Sequence, residues 1–345
     1  MRLRRSDPAK PGLRRVRRGT GFVVLDTEGR RVDAETMARV RALVIPPAWE
    51  DVWVCPWPNG HIQAVGTDAA GRRQYLYHPA WHESRGRAKH ERVVTLARRL
   101  PEARAEISRR LRRPGLGRER VGAVALRLLD AGLFRTGGEE YETENGSHGV
   151  ATLRKDHVHV RGDVVSFCFP AKSGVEREAE VRDPALAKAV ASLKRSRGPS
   201  DRLLQYRTES GAWCELTSTE INKDFKELVG DEYTVKDLRT WAGTLLAAAA
   251  FADRADHGPP ASDRARKKVE REVMALVSEH LGNTPAVARR SYVDTRVPDE
   301  YAAGRTIARA LARASAADRR RLRRGDLAEV AGRAALERAL VRLLS

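Results

Sequence analysis

The hydrophobic period changes near residues 85–91, and that change limits the fold more than any other feature of the sequence. Before it, apolar residues fall in short runs at 21–26, 52–55, 62–67 and 73–77. Turn signals at Glu28-Gly29, Pro58-Asn59-Gly60 and Ala69-Ala70-Gly71 separate them. Such runs suit a small antiparallel sheet, with one helix at 33–43 where Met37, Val40 and Leu43 fall in register. After the change, Val93, Val94, Leu96, Leu100 and Ile107 recur at helical spacing through 88–113. Strand and helix periods bury different faces, so the two stretches are expected to build separate cores. The sequence therefore predicts an α+β chain with a β-sheet domain at 1–88 and a mainly α-helical domain at 89–345. The first 20 residues, rich in Arg and Pro, read as a flexible basic arm.

Within the second domain, Val124, Leu126, Leu128, Leu129 and Leu133 mark a strongly apolar helix at 121–134. A β insert follows, with strands at 150–160, 164–169 and 175–181. Its turns are Arg161-Gly162-Asp163 and Pro170-Ala171-Lys172-Ser173-Gly174. Helices are predicted at 184–194, 217–229, 234–252 and 262–281, with a Gly/Pro loop at 257–262. Thr217 and Glu220 have capping-box spacing. Gly282 stands where a glycine stops a helix, and Thr284-Pro285 reads as the N-cap and first residue of the next. Asn283 and Tyr292 then stand at the two ends of one short helix, with further helices at 300–314, 316–323 and 327–344.

Among 345 residues, 65 Lys+Arg oppose 46 Asp+Glu, a net charge of +19. That excess points to a polyanionic partner, nucleic acid first. With 41% apolar and 32% charged residues the chain is globular rather than disordered. Cys55, Cys168 and Cys214 are scattered and lack metal-ligand spacing, so they read as free thiols in a reducing compartment. No apolar run reaches membrane-spanning length and the basic N-terminus has no apolar signal core. These features lead to the expectation of a cytoplasmic protein without a membrane partner. There is no P-loop, no GxGxxG at a strand-helix junction and no clustered carboxylate set, so neither a nucleotide nor a metal cofactor is expected. His78 and His82 are four apart but lack further zinc ligands.

Any phosphoryl chemistry would then rest on side-chain cations. Arg135 leaves the apolar helix in Phe134-Arg135-Thr136-Gly137. Lys172 sits in a β-turn. Lys236 and Arg239 share a helix face near an N-terminus, where anions are favoured. Singly, each also reads as an ordinary solvated cation, and Tyr292 as a partly buried tyrosine.

The order and spacing of the motifs are more specific than any one of them. Gly71-Arg72-Arg73-Gln74-Tyr75-Leu76-Tyr77, Phe134-Arg135-Thr136-Gly137, Val150-Ala151-Thr152-Leu153, Ala171-Lys172-Ser173-Gly174, Lys236-Asp237-Leu238-Arg239-Thr240 and Gly282-Asn283-Thr284-Pro285 through Ser291-Tyr292 span nearly the whole chain. In that order they resemble the type IB DNA topoisomerases, in the poxvirus-like bacterial branch. The resemblance implies the catalytic fold shared by tyrosine recombinases and type IB enzymes, acting on double-stranded DNA as a monomer at the nucleoid, without ATP or metal. It makes Tyr292 the nucleophile that takes a 3′-phosphate, Arg135 and Arg239 clamps on the non-bridging oxygens, and Lys172 the general acid for the departing 5′-oxygen. Asn283 falls where poxvirus and nuclear enzymes hold histidine; an amide can donate a hydrogen bond but cannot titrate. Gln74, Tyr75, Tyr77, Tyr141 and Lys236 match DNA-contacting positions, and the two domains would close as a clamp. A tyrosine recombinase uses a related set, but usually with His-x-x-Arg where this chain has Lys236-Asp237-Leu238-Arg239. A non-catalytic architectural DNA-binding protein would explain the charge but not the joint presence of Arg135, Lys172, Arg239 and Tyr292.

Overall fold

The computed structural model describes residues 2–138, 142, 146–255, 262–327 and 330–345. Two compact units, Met1–Lys89 and His90–Ser345, each have their own hydrophobic core.

The first unit is a five-stranded antiparallel sheet in the order β2-β1-β3-β4-β5. Its strands are β1 (Leu13–Arg18), β2 (Gly21–Leu25), β3 (Glu50–Val54), β4 (Ile62–Thr67) and β5 (Arg73–Tyr77). Helix α1 (Ala34–Ala42) is capped by Asp33, whose carboxylate accepts from the Thr36 amide at 2.7 Å. The register Leu13–Val54–Ala64–Leu76 lines up one apolar face, which buries Val40 of α1. The register Arg14–Trp53–Val65–Tyr75 gives the opposite face a basic and aromatic character.

The flexible arm expected at 1–20 is corrected here, because β1 pairs with both β2 and β3. Leu13 is buried in the core. The Arg15 guanidinium donates to the carbonyls of Ile45, Pro46 and Trp49 at 2.7–3.0 Å and lies over the Phe22 ring at 4.2 Å. Composition registers the charges and misses these non-local partners.

Helix α2 (Pro79–Leu111) starts nine residues earlier than the expected 88, with proline at its first position. The division between the units falls inside it. Then come α3 (Arg118–Asp130), a three-stranded sheet of β6 (Val158–Arg161), β7 (Val164–Pro170) and β8 (Glu176–Arg182), and α4 (Pro184–Lys194). A small hairpin of β9 (Gln205–Arg207) and β10 (Trp213–Glu215), which the sequence did not predict, precedes α5 (Ser218–Val229). The strand expected at 150–160 begins only at Val158. Residues 150–152 form a tight turn, held by the Gly149 amide donating to Thr152 Oγ1 at 3.0 Å.

Helices α6 (Val235–Arg254), α7 (Asp263–Leu281) and α8 (Pro285–Ser291) follow, then α9 (Arg296–Ala302), α10 (Ala308–Ala312), α11 (Ala316–Arg323) and α12 (Arg333–Leu344). The helix expected at 300–314 is thus two short ones parted at Gly304, and the last begins at Arg333 rather than 327. The loop read at 257–262 lies outside the described residues except for Ser262.

α6 organises the second unit. Every residue from Asp237 to Ala252 is buried, the pattern of a helix enclosed on all sides. It packs against α3, α5, α7, α9, α10, α11 and α12, and its alanines at 247–250 permit close approach. Among the described residues, no helix is long and apolar enough to cross a membrane.

Candidate active site

The site is built where α7 stops. Gly282 adopts φ 60° and ψ 57°, a left-handed conformation that strains side-chain-bearing residues. Its amide donates to Glu279 O at 3.2 Å and the Asn283 amide to Ser278 O at 3.0 Å, which closes the helix end. α8 begins at once: Thr284 accepts from the Val287 amide at 3.3 Å, and Pro285 takes the first helical position.

Tyr292 is the C-cap of α8, only 7% exposed, with its amide donating to Ala288 O at 2.9 Å. Its backbone is fixed to the middle of α6. Thr244 Oγ1 lies 3.1 Å from Tyr292 O and accepts from the Asp294 amide at 3.2 Å. The neighbouring Gly243 leaves the room this needs: a Cβ there would come within 3.2 Å of Tyr292 O and 3.3 Å of Tyr292 Cβ.

The last carbonyls of a helix have no intrahelical donors and carry the negative end of its dipole. Three guanidiniums satisfy four in a row. Arg177, on β8, donates to Glu279 O at 3.0 Å and to His280 O. Arg239, on α6, donates to Leu281 O, and also to Gly132 O at 2.9 Å and Phe134 O at 3.2 Å. Arg135 donates to Gly282 O at 3.0 Å. Among the described residues, none of Arg135, Lys172, Arg177 and Arg239 is in ion-pair contact with a carboxylate. Carbonyl dipoles offset their charge only in part, so a net positive field remains.

That field acts on the tyrosine. The Arg239 guanidinium lies 5.4 Å from the Tyr292 ring centroid. Burial alone would raise the phenol's pKa. Arg239 foremost, then Arg135 and, less strongly, Lys236, outweigh burial and bring it below the ordinary tyrosine value. Arg239, 4% exposed, is itself pushed down to about 10, chiefly by burial and further by Arg135 and Arg177, so it stays charged at neutral pH. Buried His280 is pushed down to about 3 by desolvation, with Arg177 and Arg239 adding to it, and remains a neutral imidazole.

A cleft of about 440 Å³ opens beside the end of α7, lined among others by Arg135, His148, Lys172, Arg177 and Asn283. Lys172 is exposed at the turn between β7 and β8. Both polar atoms of the Asn283 amide are shielded from solvent and have no hydrogen-bond partner among the described residues. An amide in that state has unused hydrogen-bonding capacity where an anion could enter. Arg239 and Tyr292 do not line the cleft. Of the expected set, the structure groups Arg135, Lys172 and Asn283 on the cleft, and Arg239 with Tyr292 apart from it. Lys236 is exposed on the first turn of α6, close enough to act on the phenol.

In the first unit, Tyr75 and Tyr77 stack with centroids 6.1 Å apart on the basic, aromatic face, and Tyr75 is 41% exposed. Gln74 alternates to the other face, beside Leu76, and its amide donates to Asp68 Oδ2 at 2.8 Å. The three residues therefore do not present one common surface. Tyr141 lies outside the described residues.

The sequence reading missed Arg177, Gly243 and Thr244. A signal for Arg177 was available: in Glu176-Arg177-Glu178-Ala179-Glu180-Val181 the glutamates take the outward positions, which leaves one arginine among the inward ones.

Fold and site define an α+β protein with a cleft lined by Arg135, Lys172, Arg177 and Asn283, near a buried tyrosine whose phenol pKa is lowered by neighbouring guanidiniums. Comparison with known proteins supplies the family. The model for eukaryotic DNA topoisomerase I, catalytic core, matches residues 78–311, and that for the bacterial DNA topoisomerase IB N-terminal domain matches residues 21–68. The chain belongs to the type IB DNA topoisomerase family, whose members are isomerases. A DNA topoisomerase 1B of Acanthamoeba polyphaga mimivirus is 29% identical over 82% of this chain and 85% of its own length. The DNA topoisomerase 1B of Vaccinia virus is 24% identical over 68% of this chain and 70% of its own. Among solved structures, the XerH site-specific recombinase in a post-cleavage complex covers 59% of this chain and 51% of its own at 14% identity. Its TM-score of 0.35 is too low to argue from.

Proposed function

We propose that this chain relaxes supercoiled duplex DNA by cutting and resealing one strand through Tyr292. The Tyr292 Oη gives up its proton to water and attacks a backbone phosphorus, and the bond from phosphorus to the 5′-oxygen breaks. Lys172 gives its proton to the departing 5′-oxygen, a strongly basic leaving group for which a general acid matters. The strand is left with its 3′-phosphate esterified to the tyrosine. Because that ester keeps the phosphodiester's energy, resealing by the reverse step needs no ATP. Arg135 and Arg239 offset the charge that gathers on the non-bridging oxygens, and Asn283 donates its amide hydrogen to one of them. These groups take the charge-stabilising role that a metal plays in other phosphoryl-transfer sites, so the reaction is expected to proceed without added Mg²⁺.

The observation that carries this reading is the set of guanidiniums, without carboxylate partners among the described residues, along the end of α7 near a tyrosine with a lowered pKa. Among the described residues Asn283 Nδ2 has no hydrogen-bond acceptor, which supports a phosphate oxygen as its partner. In the first unit, the face with Arg14, Trp53, Tyr75 and Tyr77 suits backbone contact with duplex DNA. The net charge of +19 supports the same partner. On this reading the chain acts as a monomer at chromosomal DNA in the cytoplasm.

Supercoiled plasmid incubated with the protein, a chelator and no ATP should yield a ladder of relaxed topoisomers. Tyr292→Phe should abolish relaxation while changing DNA affinity by less than about threefold, since the phenol acts in the chemistry rather than in binding. Plasmid that stays supercoiled with folded, DNA-bound wild-type protein would sink the proposal.

A further inference from the structure

We propose that Arg177 is a further positioning residue of this site. It caps the end of α7 and offsets the helix's negative pole where the scissile phosphate would sit. The inference rests on the reading of the cleft as a phosphate site.

The argument begins with an electrostatic difficulty. α7 runs for 19 residues and points its C-terminus, not its N-terminus, at the cleft. The aligned peptide dipoles place about half a negative charge at that end, which would repel a phosphate. Of the carbonyls at this helix end, Arg239 and Arg135 reach only those of Leu281 and Gly282. The two before them, Glu279 O and His280 O, are both held by Arg177. One planar fork on two successive carbonyls is a geometry lysine cannot reproduce.

Position supports the same role. Arg177 lines the cleft together with Arg135, Lys172 and Asn283. It also lies against Gly282, whose added Cβ would meet the guanidinium at 3.5 Å. It therefore braces the turn from which Asn283 and α8 set out. β8 leaves the Lys172 turn and reaches Arg177 within five residues, so the strand ties the lysine's turn to the end of α7. Among the described residues, Arg135 and Arg239 repel Arg177, Glu279 attracts it without ion-pair contact, and Glu176 lines the same cleft. The guanidinium persists there because the carbonyl pair holds it.

The test is single-turnover cleavage of duplex DNA, read as covalent adduct, with wild type, Arg177→Gln and Arg177→Lys. Each is also run on DNA whose scissile phosphate is replaced by a neutral methylphosphonate. Arg177→Gln should cleave ordinary DNA about 10- to 100-fold more slowly, with non-covalent affinity changed less than about threefold. On the methylphosphonate its deficit should shrink to about threefold or less, because there is less charge to stabilise. Arg177→Lys keeps the charge but not the fork, and should fall between the two. If Arg177→Gln is unfolded by circular dichroism, Arg177→Lys carries the test, with a deficit again smaller on the methylphosphonate. Wild-type rates in the folded variants, or equal deficits on both substrates, would overturn the role for Arg177 while leaving the Tyr292 chemistry standing. Absence of adduct with wild-type protein would instead remove the reading on which the proposal rests.

Discussion

His280 shows how strongly the end of α7 is set against further positive charge. Its imidazole is buried, Nε2 has no hydrogen-bond partner, and burial with Arg177 and Arg239 nearby brings its pKa to about 3. In the unfolded chain the same group titrates near 6.5. Its contribution to stability is therefore complete above pH 6.5 and is lost as pH falls from 6.5 towards 3, since the unfolded state then binds the extra proton. Between pH 6 and 5, where carboxylates stay ionised, the wild type should lose about 1.4 kcal/mol per pH unit that His280→Gln does not lose. Urea unfolding at stepped pH reads this directly; parallel curves for the two proteins would refute it. At this scale the sequence singled out Arg135, Lys172, Arg239, Asn283 and Tyr292, because the family resemblance rests on them. It did not show Arg177, whose role comes from a helix end about a hundred residues away and whose neighbours Glu176 and Glu178 read as a solvated strand. Gln74 was read with Tyr75 and Tyr77, although strand alternation sends it to the opposite face.

Elements whose ends are fixed locally were legible. α4 is bounded as expected because Asp183 caps Pro184, and α8 because Gly282, Thr284 and Pro285 supply stop, cap and start within four residues. Elements fixed by distant partners were not: β1 exists through β2 and β3, and β9 with β10 is too short to show alternation. The seat of Tyr292 is of the second kind, since Gly243 is a mid-helix glycine whose reason lies across the packing on α8. Gly243→Ala adds a Cβ 3.1 Å from Leu281 Cδ1 and 3.2 Å from Tyr292 O, closer than ordinary contact. The gain in helix propensity, about 0.5–1 kcal/mol, offsets part of that strain. Stability should therefore fall by no more than about 1 kcal/mol. Cleavage should slow about tenfold, because the nucleophile moves by tenths of an ångström. An unchanged cleavage rate would show that the close fit of α6 against Tyr292 has no catalytic consequence.

At the scale of the molecule, the change of period near residue 85 marked two cores, though the division itself falls within α2 rather than in a linker. The C-terminal part of the helical unit was less legible, because its closure depends on a buried charge network. Glu337 of α12 accepts from Arg104 at 2.6 and 2.9 Å, from Arg333 at 3.0 Å and from the Trp241 indole at 3.0 Å. Arg104 also holds Asp130 at 2.8 and 2.9 Å, which links α2, α3, α6 and α12. Burial by itself would raise the Glu337 carboxyl, yet Arg333 and Arg104 hold it below the usual range. Removing one partner of such a network leaves the others buried and under-compensated, so Glu337→Gln should cost about 3 kcal/mol in urea unfolding. A loss below about 1 kcal/mol would mean that α12 is held by its leucines alone.

The proposed function rests on a single covalent bond, between Tyr292 and a DNA phosphate. Its direct test is to trap the complex on duplex DNA labelled in one strand, digest it, and identify the modified peptide by mass spectrometry. The account predicts DNA joined through a 3′-phosphate to Tyr292. An adduct through a 5′-phosphate, an adduct on another residue, or no adduct from folded, DNA-bound protein would contradict it.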